Sequence, residues 1–167
     1  KSLSAEDVAT LYAETSSTAS NTNPLSEGAG VALWSLDTDS SEQSGYFDAT
    51  PTDVDFGVGG HINYGARFNG SSSKIDLPNN ILPNNSTASS SCSFWFKSSS
   101  GNSAGDSETI IDAWAYSSSE PGWGLFLSPA YSSLPDGHLY LANYYLGGTS
   151  GGTSISYRDG VWHFGVV

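Results

Sequence analysis

The sequence predicts an all-β protein, a two-sheet antiparallel β-sandwich preceded by one short helix. From Val31 onward, short β-branched and aromatic runs are separated by Gly, Ser, Asn and Pro clusters, which is the spacing of a sandwich. Cys92, Phe94 and Phe96 alternate with Ser93, Trp95 and Lys97, so two side-chain sets face two environments. The period of two returns in Leu139 and Leu141 and again in Ile155 and Tyr157, and no helical pattern is evident after Tyr12.

The helix is predicted over 4–14. Ser4 followed by Asp7 forms a capping box with Asp in place of Glu, and Val8, Leu11 and Tyr12 recur at helical spacing. Residues 15–30 change to Ser, Thr, Asn, Pro and Gly with almost no large apolar side chain; such a segment buries too little to offset its ordering entropy and reads as a linker. Strands are expected near 31–36, 62–68, 73–77, 92–97, 108–114, 123–128, 138–143, 153–157 and 161–167. The tracts 79–91, 97–106 and 147–153 are too polar for core and are expected as loops.

A chain of 167 residues with 37% hydrophobic and 13% aromatic content is long enough to bury a substantial core. Seventeen acidic residues against five basic ones give a formal net charge of −12, which repels phosphate backbones and anionic lipid heads, so no nucleic-acid partner is expected. The single Cys92 excludes an intrachain disulfide, and its place in a strand pattern predicts a buried thiol. No apolar run approaches the roughly 18 residues of a membrane span, so no membrane insertion is expected, and the N-terminus lacks a signal-peptide layout. The absence of Met suggests a piece of a longer protein.

Five phrases carry a family resemblance: Leu33–Trp34–Ser35–Leu36, Phe68–Asn69–Gly70–Ser71 running into Ile75–Asp76–Leu77–Pro78, Ser93–Phe94–Trp95–Phe96, Asp159–Gly160–Val161–Trp162–His163–Phe164, and, ahead of these, Leu3–Ser4–Ala5–Glu6–Asp7–Val8–Ala9–Thr10–Leu11–Tyr12. Together they resemble the laminin G-like, concanavalin A-like jelly-roll modules of secreted adhesins and carbohydrate-binding proteins. The Leu3–Tyr12 phrase is similar to the helix that closes such a module, here placed at the start. The resemblance thus implies that residues 1–14 end one repeat, 15–30 link, and 31–167 form the next sandwich, cut short at its C-terminal end, in a tandem-repeat parent. Within that frame Trp34 and Phe68 are expected as core aromatics of opposing strands, Asn69–Gly70 as the turn, Trp162 as inward-facing and His163 as outward-facing.

No complete catalytic set is present. Gly148–Thr149–Ser150–Gly151–Gly152 fits the nucleophile-elbow pattern, but Thr153 to Tyr157 reads as a strand where the elbow requires a helix. Asp53–Val54–Asp55 supplies two of the three alternating carboxylates of laminarinase-type hydrolases, which share this sandwich, and Gly57 stands in the third place. His61, His138 and His163 have no zinc-ligand spacing. Calcium is the one cofactor expected, since hard oxygen ligands suit it and family sandwich rims often hold one; Asp37, Asp39 and Asp48 are its candidate ligands. Trp114, Tyr116, Trp123, Tyr144 and Tyr145, in or beside loops rich in Ser, Gly and Asn, are the candidate sugar-binding aromatics, because a ring face packs on the apolar face of a pyranose. Sequons stand at Asn69, Asn84 and Asn85.

These features predict a non-catalytic carbohydrate-recognition or adhesion module of a large extracellular, cell-surface or virion-surface protein. Its partners are expected to be a glycan or a cell-surface protein, beside neighbouring repeats of its own chain. The alternatives are a structural spacer or fibre domain without ligand and, with less support, a glycoside hydrolase of concanavalin A-like fold.

Overall fold

A computed structural model describes residues 4–13, 32–43, 45–78, 81, 91–99, 107–113, 123–128, 136–143 and 148–167. Among these residues lie one helix and ten strands, and the ladders whose registers are given below are all antiparallel. The expected all-β class is observed. The chain forms two compact units, Lys1–Pro83 with Ser89–Cys92 and Val166–Val167, and Asn84–Ala88 with Ser93–Gly165.

In the first unit, helix α1 spans Ala5–Tyr12. Its capping box is formed as the sequence predicts: Ser4 Oγ accepts the Asp7 N–H at 3.1 Å, and Asp7 Oδ2 accepts the Ser4 N–H at 2.8 Å. The strand expected at 31–36 is reduced to an isolated antiparallel bridge between Trp34 and Glu42. Local side-chain bonds take the place of a ladder there. Glu42, 6% exposed, accepts the Leu33 N–H through Oε1 at 3.0 Å, Trp34 Nε1–H donates to the Phe47 carbonyl at 3.0 Å, and Ser40 Oγ–H donates to the Ala49 carbonyl at 2.7 Å.

Strands β1 (Thr50–Thr52) and β4 (Lys74–Asp76) pair, with Pro51 opposite Ile75. Strands β2 (Asp55–Gly59) and β3 (Tyr64–Arg67) form a second ribbon with a register shift between Phe56 and Val58. The sequence does not mark β1 or β2: Pro51 and the two glycines of Asp55–Phe56–Gly57–Val58–Gly59 argue against a strand on propensity, and ladder pairing overrides them. Cys92 and Val167 exchange N–H···O bonds of 2.8 and 3.0 Å. Burial pushes the Cys92 thiol up to about 11, so it is a neutral, inert thiol near neutral pH.

The second unit contains a four-stranded sheet in the order β6 (Glu108–Ala113), β7 (Trp123–Leu127), β8 (His138–Asn143) and β9 (Gly148–Ser156). Leu125 pairs with Leu141 and Leu127 with Leu139, so period two places these leucines on one face; Leu127 is 1% exposed. On the other face Phe126 stacks on Tyr140 with ring centroids 5.4 Å apart, and the Tyr140 hydroxyl meets Ser107 Oγ at 2.6 Å. The expected 147–153 loop is overturned, because residues from Gly148 onward belong to β9. Cross-strand pairing with β8 draws this Gly- and Ser-rich tract into the sheet, with two register irregularities.

Strands β5 (Ser93–Phe96) and β10 (His163–Val166) pair as the remaining ribbon. Both its faces carry aromatics. Phe96 lies 5.6 Å from His163 and 6.0 Å from Tyr157, while Trp95 lies 5.2 Å from Phe164 and the Lys97 ammonium sits 5.2 Å from the Trp162 ring. Trp162, expected to face inward, and His163, expected to face outward, are both half-buried, with aromatic or cationic neighbours beside each.

Candidate functional site

The acidic segment after Trp34 is held by the hydrogen bonds of the first unit. Asp39 Oδ1 accepts the Ser41 N–H at 2.9 Å, Asp48 Oδ1 accepts the Glu42 N–H at 2.8 Å, and the Asp37 carbonyl accepts the Gly57 N–H at 3.0 Å. One oxygen of each of the three residues thus fixes local backbone. Among the described residues no group of three or more His, Cys, Asp or Glu side chains is gathered to hold a metal ion.

Of the five candidate sugar-binding aromatics, Trp114, Tyr116, Tyr144 and Tyr145 lie outside the described residues. Trp123 opens β7, half-buried, between Ala113 and Asn143 in register. Other aromatics of the first unit are exposed: Tyr12 and Tyr46 stand apart from its ribbons, and two more lie at β3. Tyr64 at the start of β3 is 57% exposed, and Phe68, directly after that strand, is 48% exposed. The core position expected for Phe68 is thereby corrected; it stands past the last β2–β3 pair, Asp55 with Arg67, where no ladder partner covers it. Positions 64 and 68 stand four residues apart, a spacing of roughly 13 Å where the chain is extended. Polar groups flank the two rings: the Asp55–Arg67 ion pair across the ribbon, and Asn69 with Ser71, Ser72 and Ser73 in the following turn. Hydrophobic patterning hides this pair, since it assigns an aromatic beside a strand to the core.

The candidate catalytic groups named from the sequence occupy the following positions. Asp53 stands before β2 with φ +50°, and its carbonyl accepts the Ser73 hydroxyl; the Asp55 carboxylate pairs with Arg67. Ser150 lies within strand β9, with no strand-to-helix elbow around it. His138 Nδ1 sits 2.7 Å from the Thr153 carbonyl.

The densest polar cluster is in the second unit, around Arg158. Its side chain, 3% exposed, reaches Glu108 Oε1 at 3.2 Å through Nε, and through Nη1 both the Asp136 carboxylate and the Ser128 carbonyl, the latter at 2.8 Å. Ser98 Oγ–H donates to the other Glu108 oxygen at 2.9 Å. Gly137, at φ +72°, allows this packing: a Cβ there would stand 2.3 Å from Ser156 Oγ and 2.9 Å from Arg158 Cγ. An ion cluster of this kind sets one cation against two carboxylates and holds strands together.

Beside it, His163 Nε2 meets Asp159 Oδ1 at 2.9 Å, and the same oxygen accepts the Val161 N–H at 3.1 Å. The bond from His163, then that from Val161, holds the Asp159 carboxyl below the usual carboxylate range. A depressed folded-state value means the carboxylate's stabilisation is present above the ordinary Asp range and is lost as pH falls through the lowered value. The Val161 amide is therefore expected to lose hydrogen-exchange protection as acid titrates Asp159. In Asp159→Asn that pH step is expected to vanish.

Comparison with known proteins returned no match: no protein-family model, no curated protein and no solved structure is similar to this chain.

Proposed function

We propose that this chain is a non-catalytic recognition or adhesion module that binds a neutral glycan, built on a jelly-roll sandwich of the laminin G-like kind and carried on an extracellular or virion surface. The observation that carries the proposal is the exposure of Tyr64 and Phe68, four residues apart at and just after β3 and flanked in sequence by hydrogen-bonding side chains. Ring faces pack on the apolar faces of pyranoses while neighbouring polar groups fix hydroxyls. A spacing of roughly 13 Å suits a polymer lying along the strand better than a monosaccharide. The net charge of −12 disfavours sulfated or uronic polymers, which leaves neutral ones.

Affinity electrophoresis through gels containing neutral or sulfated polysaccharides tests the proposal. The wild type is expected to be retarded by at least one neutral polymer, and Tyr64→Ala with Phe68→Ala to weaken that binding roughly tenfold, at about 1 kcal/mol or less per ring. No retardation by any polymer would favour a ligand-free spacer.

A further inference from the structure

The turn between β3 and β4 contains the chain's one Asn–Gly step, Asn69–Gly70. Asn69 Oδ1 sits in a cup of backbone donors: it accepts the N–H groups of Ser71 at 2.9 Å, Ser72 at 2.9 Å and Ser73 at 3.1 Å, with Ser71 Oγ at 3.2 Å. Its Nδ2 donates to Ser72 Oγ at 3.0 Å. The backbone N–H of Ser73 is thus the third donor to one oxygen, while the Asn69 N–H is taken by Ser73 Oγ at 3.0 Å. Gly70 is at φ +75°, which glycine tolerates, and a Cβ on it would meet nothing within 4 Å. Among the described residues the Gly70 N–H has no hydrogen-bond partner.

We propose that Asn69–Gly70 is a self-modifying site at which the Gly70 backbone nitrogen attacks Asn69 Cγ, with the donor cup acting as an oxyanion hole. As the N–Cγ bond forms, the Gly70 nitrogen gives up its proton and Oδ1 gains the negative charge, which three preorganised N–H groups stabilise. Collapse breaks the Cγ–Nδ2 bond and ammonia leaves with that proton, giving a five-membered succinimide. Water then opens the ring. Addition at Cγ leaves an ordinary aspartate in place of Asn69, and addition at the backbone carbonyl gives the β-linked isomer; the sum is amide plus water to acid plus ammonia, with no oxidant or other reactant. The same cup favours the normal aspartate product, since its carboxylate would accept charge-assisted bonds from the donors that now hold the amide oxygen.

The test incubates the full chain at neutral pH, folded and in urea, and follows Asn69 by peptide mass mapping with an isoaspartate assay. The folded chain is expected to deamidate roughly tenfold faster at Asn69 than the urea-unfolded chain, a fraction of what one oxyanion donor contributes in an enzyme. It is also expected to yield mostly the normal aspartate. Asn69→Asp, made directly, is expected to raise the thermal midpoint at neutral pH and to lose that gain in acid. A folded rate equal to or below the unfolded rate would overturn the proposal, as would an Asn69→Asp variant that melts below the wild type at neutral pH.

Discussion

Arg158→Met is expected to destabilise the second unit by about 3 kcal/mol, the low end of the cost of breaking a buried ion pair. Met preserves much of the apolar stem and removes the fork that joins β6, through Glu108, to Asp136 and the Ser128 carbonyl. The low end applies because Glu108 and Asp136 keep access to water, their side chains being 30% and 46% exposed. Hydrogen exchange at the Leu125 and Leu127 amides reads this out as protection lost by about a hundredfold. Arg158→Lys is expected to recover little, since a single ammonium cannot serve three acceptors in fork geometry. Unchanged protection in Arg158→Met would show that the sheet does not depend on the cluster.

Leu127→Ala is expected to cost a similar amount, about 3 kcal/mol, by a different mechanism. Leu127 is 1% exposed and pairs with Leu139 across β7 and β8, so truncation removes buried methyl groups and leaves a cavity that the flanking strands close only in part. Leu127→Met keeps the volume and is expected to cost less than about 1.5 kcal/mol. Urea unfolding followed by tryptophan fluorescence separates the two variants by their midpoints. Equal midpoints for the Ala and Met variants would mean that Leu127 is not packed as described.

The parts of this fold legible from sequence are those whose signal is local. Ser4 and Asp7 announce the capping box because both partners lie within one turn, and Leu139 and Leu141 of β8 announce a sheet face because period two is written within one short run. Strands β2 and β9 are hidden or shortened in the sequence because their glycines carry no side-chain pattern, and only pairing with β3 and β8 makes them strands. Trp34 shows the converse: a strand-like run is reduced to an isolated bridge held by side-chain bonds from Glu42 and to Phe47. The Arg158 cluster is illegible because its partners lie 22, 30 and 50 residues away. The exposure of Phe68 escapes for a different reason: hydrophobicity predicts burial, and only the folded chain shows the ring exposed.

The central claim, that Tyr64 and Phe68 form a glycan platform, is tested most directly by saturation-transfer NMR with a neutral polysaccharide retained by the wild-type chain. Saturation of aromatic ring protons is expected to pass to the pyranose ring protons of the glycan, with the Tyr64 and Phe68 ring resonances shifting on titration, and to be lost in the Tyr64→Ala and Phe68→Ala double variant. Binding that leaves both rings unshifted and survives the double variant would contradict the claim and move the glycan to another surface.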